Sequence, residues 1–178
     1  MKQWKDKLAA VAALLLLGAG AWLWLSGEGA ARAPDIELLM LDGSKLRLAE
    51  LRGRPVLVTF WATTCVGCRR EVPHLIELYE KYHPQGFELL AIAMSYDPPV
   101  QVARFKKEKK LPYRIALDVD GAAARAFGGV RLTPTTFVIA RDGRIVFQKI
   151  GEFEVEPMDR RIRTLLAEPP PAAAPASG

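Results

Sequence analysis

Only two cysteines and two histidines occur in the 178 residues, and that scarcity excludes several functions. A four-cysteine zinc centre cannot be assembled. A centre of two cysteines and two histidines fails as well, because His74 and His83 stand nine apart, outside the usual spacing of about three to five. No histidine follows His83, and no internal repeat is visible. The positive excess is small, +5 overall. Its one dense run, Arg104–Lys110 with Glu108 inside it, reads as a solvated helix face, since a nucleic-acid surface needs a broader basic patch. Residues 34–167 are long enough to bury a single hydrophobic core, so the fold does not depend on a disulfide staple. A bridge across two intervening residues would in any case remove little entropy from the unfolded chain.

One long apolar run is present. Leu8 to Leu25, LAAVAALLLLGAGAWLWL, carries no charge and as a helix would extend roughly 27 Å, close to the thickness of a bilayer's hydrocarbon core. Lys2, Lys5 and Lys7 precede it and Glu28 follows. The positive-inside rule leaves residues 1–7 in the cytoplasm and sends the rest of the chain across. Trp4 at one end and Trp22 and Trp24 at the other suit the interfaces. The small-x-small triplet Ala19-Gly20-Ala21 allows a cleaved signal sequence instead, but the run continues through WLWL, which favours an anchor. No cysteine at its end marks a lipoprotein. Either way the remainder is exported to a compartment where disulfides persist. Residues 26–33 are small and polar, a tether, and 168–178, EPPPAAAPASG, form a tail unable to bury a core.

Between the ends, strand and helix patterns alternate. IELLML (36–41), the Asp42-Gly43 turn and KLRL (45–48) predict a hairpin. RPVLVTFWA (54–62) and FELLAIAM (87–94) are nearly unbroken apolar runs, as in strands covered on both faces. Helical spacing follows the first through Val72, Leu75, Ile76, Leu78 and Tyr79. Pro98-Pro99 opens a second helix that ends near Lys110, before Pro112. A strand at 113–118, a short helix at 122–127, a hairpin from 135–140 and 144–151, and a closing helix over 155–167 complete the series. The order predicts an α/β domain over 34–167, a mixed central sheet with helices on both faces.

The two cysteines fall in WATTCVGCRREVPHL, between the first buried strand and its helix. A helix's first turn offers unpaired N–H groups and the positive end of the macrodipole, both of which stabilise a thiolate. Cys65 is therefore placed to attack a disulfide, and Cys68, one turn on, to resolve the mixed disulfide. The plain alternative is a structural bridge, which the strand-to-helix position disfavours. His74 lies off the thiol face and reads as a surface residue, His83 as a helix-end residue, and Trp61 as packing behind the site.

VLVTFWATTCVGCRREVP resembles the active-site stretch of thioredoxin-like proteins, in particular the membrane-anchored TlpA/ResA group of thiol-disulfide oxidoreductases. The resemblance runs over about 34–166 and takes in AIAMSYD (91–97), LPYRIALDVDG (111–121) and GVRLTPTTFVIARDGRI (129–145). It implies a thioredoxin-like fold, a four- to five-stranded sheet with an extra amino-terminal hairpin. It implies a redox-active Cys65–Cys68 disulfide, a cis-proline at Pro134 facing it, and backbone at Thr133 that pairs with an extended substrate. Glu71, three residues past Cys68, matches an acid that would exchange the proton of that thiol; the bland reading is an exposed carboxylate paired with a neighbouring arginine. The chain departs from the family at Thr64, often Trp, and at Gly67, often Pro, and Thr59 stands where cytosolic thioredoxins have a buried Asp. The implied activity is reduction of particular protein disulfides, such as those of apocytochrome c or a copper-site assembly protein, on the periplasmic side of a bacterial inner membrane. Electrons would come from a transmembrane thiol carrier, with no organic cofactor or metal. The alternative is a Cu(I)-binding module, since two thiolates select Cu(I), although the third histidine ligand is missing.

Overall fold

The computed structural model describes residues 31–169. The expected anchor at 8–25, the stretch before it, most of the tether and nearly all of the tail lie outside the described residues. Among the described residues no helix is long and apolar enough to cross a membrane.

Among the described residues seven strands form one sheet: β1 (Glu37–Met40), β2 (Lys45–Arg47), β3 (Val56–Trp61), β4 (Glu88–Ala93), β5 (Arg114–Leu117), β6 (Thr135–Ile139) and β7 (Ile145–Ile150). Their order is β2-β1-β5-β4-β3-β6-β7. Every residue of β3 and of β4 is buried, which is why both read as nearly unbroken apolar runs. They pair in parallel, Val56 opposite Glu88 through Trp61 opposite Ala93, and β4 pairs in parallel with β5. The crossovers are α1 (Val66–Tyr82) and α2 (Pro99–Lys109). β6 runs antiparallel to β3, β7 to β6, and the β1–β2 hairpin joins the other side through β5.

The sheet divides the core in two. On one face α1, α2 and the closing helix α4 (Val155–Ala167) pack Leu75, Leu78, Val102, Phe105, Met158 and Ile162 against Leu57, Leu89 and Val138. On the other, α3 (Ala122–Ala126) and the hairpin close over Val58, Phe60, Leu90, Ile92 and Phe137. Phe60, Phe127 and Phe137 meet there at ring distances of 4.9–6.1 Å. Helices on both faces of a mixed sheet are what the alternating pattern predicts.

Three differences from the sequence reading are local. The strand expected to run through Leu48 stops at Arg47, because Leu48 and Leu51 bury together in a 3-10 turn. A second 3-10 turn, His83–Gln85, follows α1. Ala31–Ala33, read as the end of a tether, lie along the start of β7: Ala33 N–H donates to Gly143 O at 2.8 Å and Ile145 N–H to Ala31 O at 2.7 Å.

Candidate active site

Cys65 is the residue that caps α1. Its backbone is extended, and its sulfur accepts the N–H of Cys68 at 3.1 Å. The two cysteines are disulfide-bonded, with Cα atoms 5.3 Å apart. No acid occupies the first turn of α1, so no side chain of that turn itself opposes the macrodipole's stabilisation of an anion at Cys65. The sulfurs differ in access: Cys65 is half-buried and Cys68 is 3 % exposed.

The loop before Cys65 is held from the neighbouring strand. The carboxylate of Asp97, buried at the end of the loop that leaves β4, accepts the backbone N–H and the hydroxyl of Thr63, each at 2.6 Å. Beside it Tyr96 points outward, its hydroxyl 3.4 Å from the hydroxyl of Thr133. Thr133–Pro134 is a cis peptide, and Pro134 packs against the dithiol turn: a Cβ on Gly67 would stand 3.4 Å from Pro134 Cδ.

Glu71 lies under Cys68 and is buried, 3 % exposed, so it is not the exposed carboxylate of the bland reading. The neighbouring Arg70 pairs with Glu152 instead. Glu71 Oε1 accepts the N–H of Phe153 at 2.8 Å, while Oε2 has no partner among the described residues. A cavity of about 10 Å³ opens between Glu71, Cys68, Trp61, Thr59 and Tyr113, about the room one water requires. Trp61 lines the same cavity, and its buried indole N–H has no partner among the described residues. Burial raises the Glu71 pKa to about 7, the Phe153 N–H works against that rise, and the Glu152 charge adds to it. Tyr113, facing the same cavity, is pushed upward by burial and then by the Glu71 charge. Thr59 is buried and accepts the Thr136 hydroxyl at 3.1 Å, so a neutral pair fills the position of the thioredoxin acid.

The structure thus brings Cys65, Cys68, Glu71, Thr133 and Pro134 to one end of the sheet. His74 is exposed and His83 caps the end of α1, stacked on Tyr79 at 4.4 Å. The sequence reading missed Thr63–Asp97, Glu152 and Phe153 as parts of this end. Asp97 lies within a quoted motif, but its partner is 34 positions away, and no local spacing announces such a pair.

The arrangement can do dithiol–disulfide exchange: one reachable sulfur at a helix N-terminus, one sealed sulfur in bonding range, and a carboxyl beneath it that titrates near neutrality. Comparison with known proteins points the same way. The redoxin family pattern matches residues 28–166. The thiol-disulfide oxidoreductase ResA of Bacillus thuringiensis subsp. konkukian (strain 97-27) is 31 % identical over 133 residues, covering 75 % of this chain and 76 % of its own length. The ResA of Geobacillus thermodenitrificans (strain NG80-2) is 38 % identical over 113 residues, 64 % of each chain. Among solved structures, a thiol:disulfide interchange protein of the thioredoxin family from Chlorobium tepidum superposes with a TM-score of 0.70 at 26 % identity, covering 78 % of this chain and 97 % of that one. StoA from Bacillus subtilis, at 23 % identity, shares the fold with a TM-score of 0.61 over 74 % of this chain and 97 % of its own. With the exchange-competent cysteine pair and these relatives in agreement, the chain belongs to the redoxin family, as a thiol-disulfide oxidoreductase of the TlpA/ResA-like thioredoxin group.

Proposed function

We propose that this oxidoreductase is tethered to the bacterial inner membrane by residues 8–25 and reduces particular protein disulfides on the periplasmic side, those of apocytochrome c or of a copper-site assembly protein. The observation that carries the reading is the unequal access of the two sulfurs above a buried acid. The Cys65 thiolate attacks one sulfur of the substrate disulfide, the S–S bond breaks, and the departing thiolate takes a proton. Cys68, its proton passed to Glu71, attacks the Cys65 sulfur. The second substrate thiolate leaves and is protonated, so two electrons have moved to the substrate and the protein holds the Cys65–Cys68 disulfide. A transmembrane thiol carrier returns it to the dithiol. The substrate approaches as an extended segment across the backbone of Thr133 and Pro134, as in strand addition.

The test follows reduction of a model protein disulfide by dithiothreitol with the full chain in mild detergent. Cys65→Ser is expected to abolish the catalysed rate, and Cys68→Ser to trap a mixed disulfide through Cys65. Equal rates for the native chain and Cys65→Ser would overturn the assignment of roles.

A further inference from the structure

Three successive residues between β7 and α4 each touch a different part of the active site. The Gly151 N–H donates to Pro134 O at 2.8 Å. The Phe153 N–H donates to Glu71. Between them, Glu152 reaches over the dithiol turn: a Cβ built on Gly67 would stand 3.2 Å from Glu152 Oε1, closer than a side chain normally tolerates. Gly67 lies inside the Cys65–Cys68 ring, so the missing side chain leaves a notch, and the notch is filled by a carboxylate. Arg70 holds it there with two hydrogen bonds, Nε to Oε2 at 3.1 Å and a second from Nη2 to Oε1. The pair keeps Glu152 ionised: the Arg70 hydrogen bond lowers its pKa, and Arg70 is raised in return.

We propose that Glu152, seated in the Gly67 notch, is a positioning residue whose charge acts through Cys65 to bias the dithiol couple toward the disulfide. The disulfide is neutral, whereas the reduced pair places a thiolate at Cys65. A fixed negative charge against the ring raises the free energy of the thiolate and leaves the disulfide untouched. The couple shifts to a lower potential, the inverse of the case in which a stabilised reduced form makes a strong oxidant. A side chain larger than hydrogen at position 67 fills the notch and pushes the carboxylate away. The charged groups established around the Cys65–Cys68 turn are Arg70 and Glu71 on α1 and Glu152 ahead of α4, and Arg70 offsets part of the Glu152 charge.

This inference rests on the chain being a dithiol oxidoreductase and not on which way electrons flow in the cell. The experiment measures the equilibrium of the full chain with reduced and oxidised glutathione. Glu152→Gln is expected to move the equilibrium constant at least ~3-fold toward the dithiol, about 14 mV for a two-electron couple, and to lower the pH at which Cys65 thiolate absorbance appears. Arg70→Gln is expected to move both readouts the opposite way, because the ties of Gly151 to Pro134 and of Phe153 to Glu71 still keep residue 152 over the ring while the offsetting cation is gone. Both shifts are expected to shrink in concentrated salt, since the pair is solvent-facing. Damage to the fold would move the two variants in one direction, and only an electrostatic role gives opposite signs. No shift in Glu152→Gln, or shifts of one sign in both variants, overturns the proposal. A native potential above the compartment's poise would refute the reductant reading while leaving this comparison intact.

Discussion

Glu71 and Glu88 are both buried acids, and their surroundings give them different fates. Glu88, the first residue of β4, faces Arg114, the first of β5, at 3.2 Å. Glu71 pairs with no cation among the described residues: it has one N–H and a small cavity. Its pKa is raised to about 7 from an ordinary 4.5, so the folded protein holds this proton more tightly than the unfolded chain. Stability is therefore greatest below about pH 4.5 as far as this group is concerned, and it is lost as pH rises through about 7. The loss amounts to about 3 kcal/mol. With the disulfide closed to silence the cysteines, urea midpoints are expected to fall between pH 4 and 8 beyond the background of the other groups. Glu71→Gln is expected to remove that extra slope. A variant whose pH profile parallels the native one would show that the carboxyl is not titrating in this window.

The active site is assembled from turns that leave neighbouring strands, and buried polar ties fix those turns to one another. Asp97 is one such tie, joining the exit of β4 to the turn between β3 and α1 through two hydrogen bonds. Asp97→Ala would strand the Thr63 N–H without an acceptor, at a cost of about 2 kcal/mol. It would also free the turn that carries Cys65, so denaturant midpoint and exchange rate are both expected to drop. Asp97→Asn, which keeps one acceptor oxygen, is expected to lose less on each count. A fully stable Asp97→Ala protein would show that the turn holds itself. The same division separates what was legible in the sequence from what was not. β3 and β4 were legible because burial on both faces leaves a nearly unbroken apolar run, and α1 because Val72, Leu75 and Leu78 repeat at helical spacing. Cys65 and Cys68 were legible because two thiols at a strand-to-helix junction have few other uses. The burial of Glu71 was not, because it depends on Phe153, 82 positions away, folding over it. Nor was the occupant of the space left by Gly67, which arrives from the far end of β7. Patterning reports which face of an element is covered, but not which polar atom covers it.

For the whole molecule, the redox couple and the folding equilibrium share one thermodynamic cycle. A disulfide that the folded chain holds firmly must stabilise the folded chain by the same free energy. If the protein is a reductant, the oxidised form is expected to melt above the reduced form, by on the order of 3 °C or more, and Glu152→Gln is expected to narrow the gap. A reduced form that outlasts the oxidised one on heating would reverse the direction assigned to electron flow. The burial of Cys68 has a further consequence. Because its sulfur meets no outside molecule, every reagent, whether peroxide, alkylating agent or protein partner, enters the couple through a single door. Events at this dithiol occur in a fixed sequence, and a covalent adduct caught midway records the identity of the partner at a single known atom.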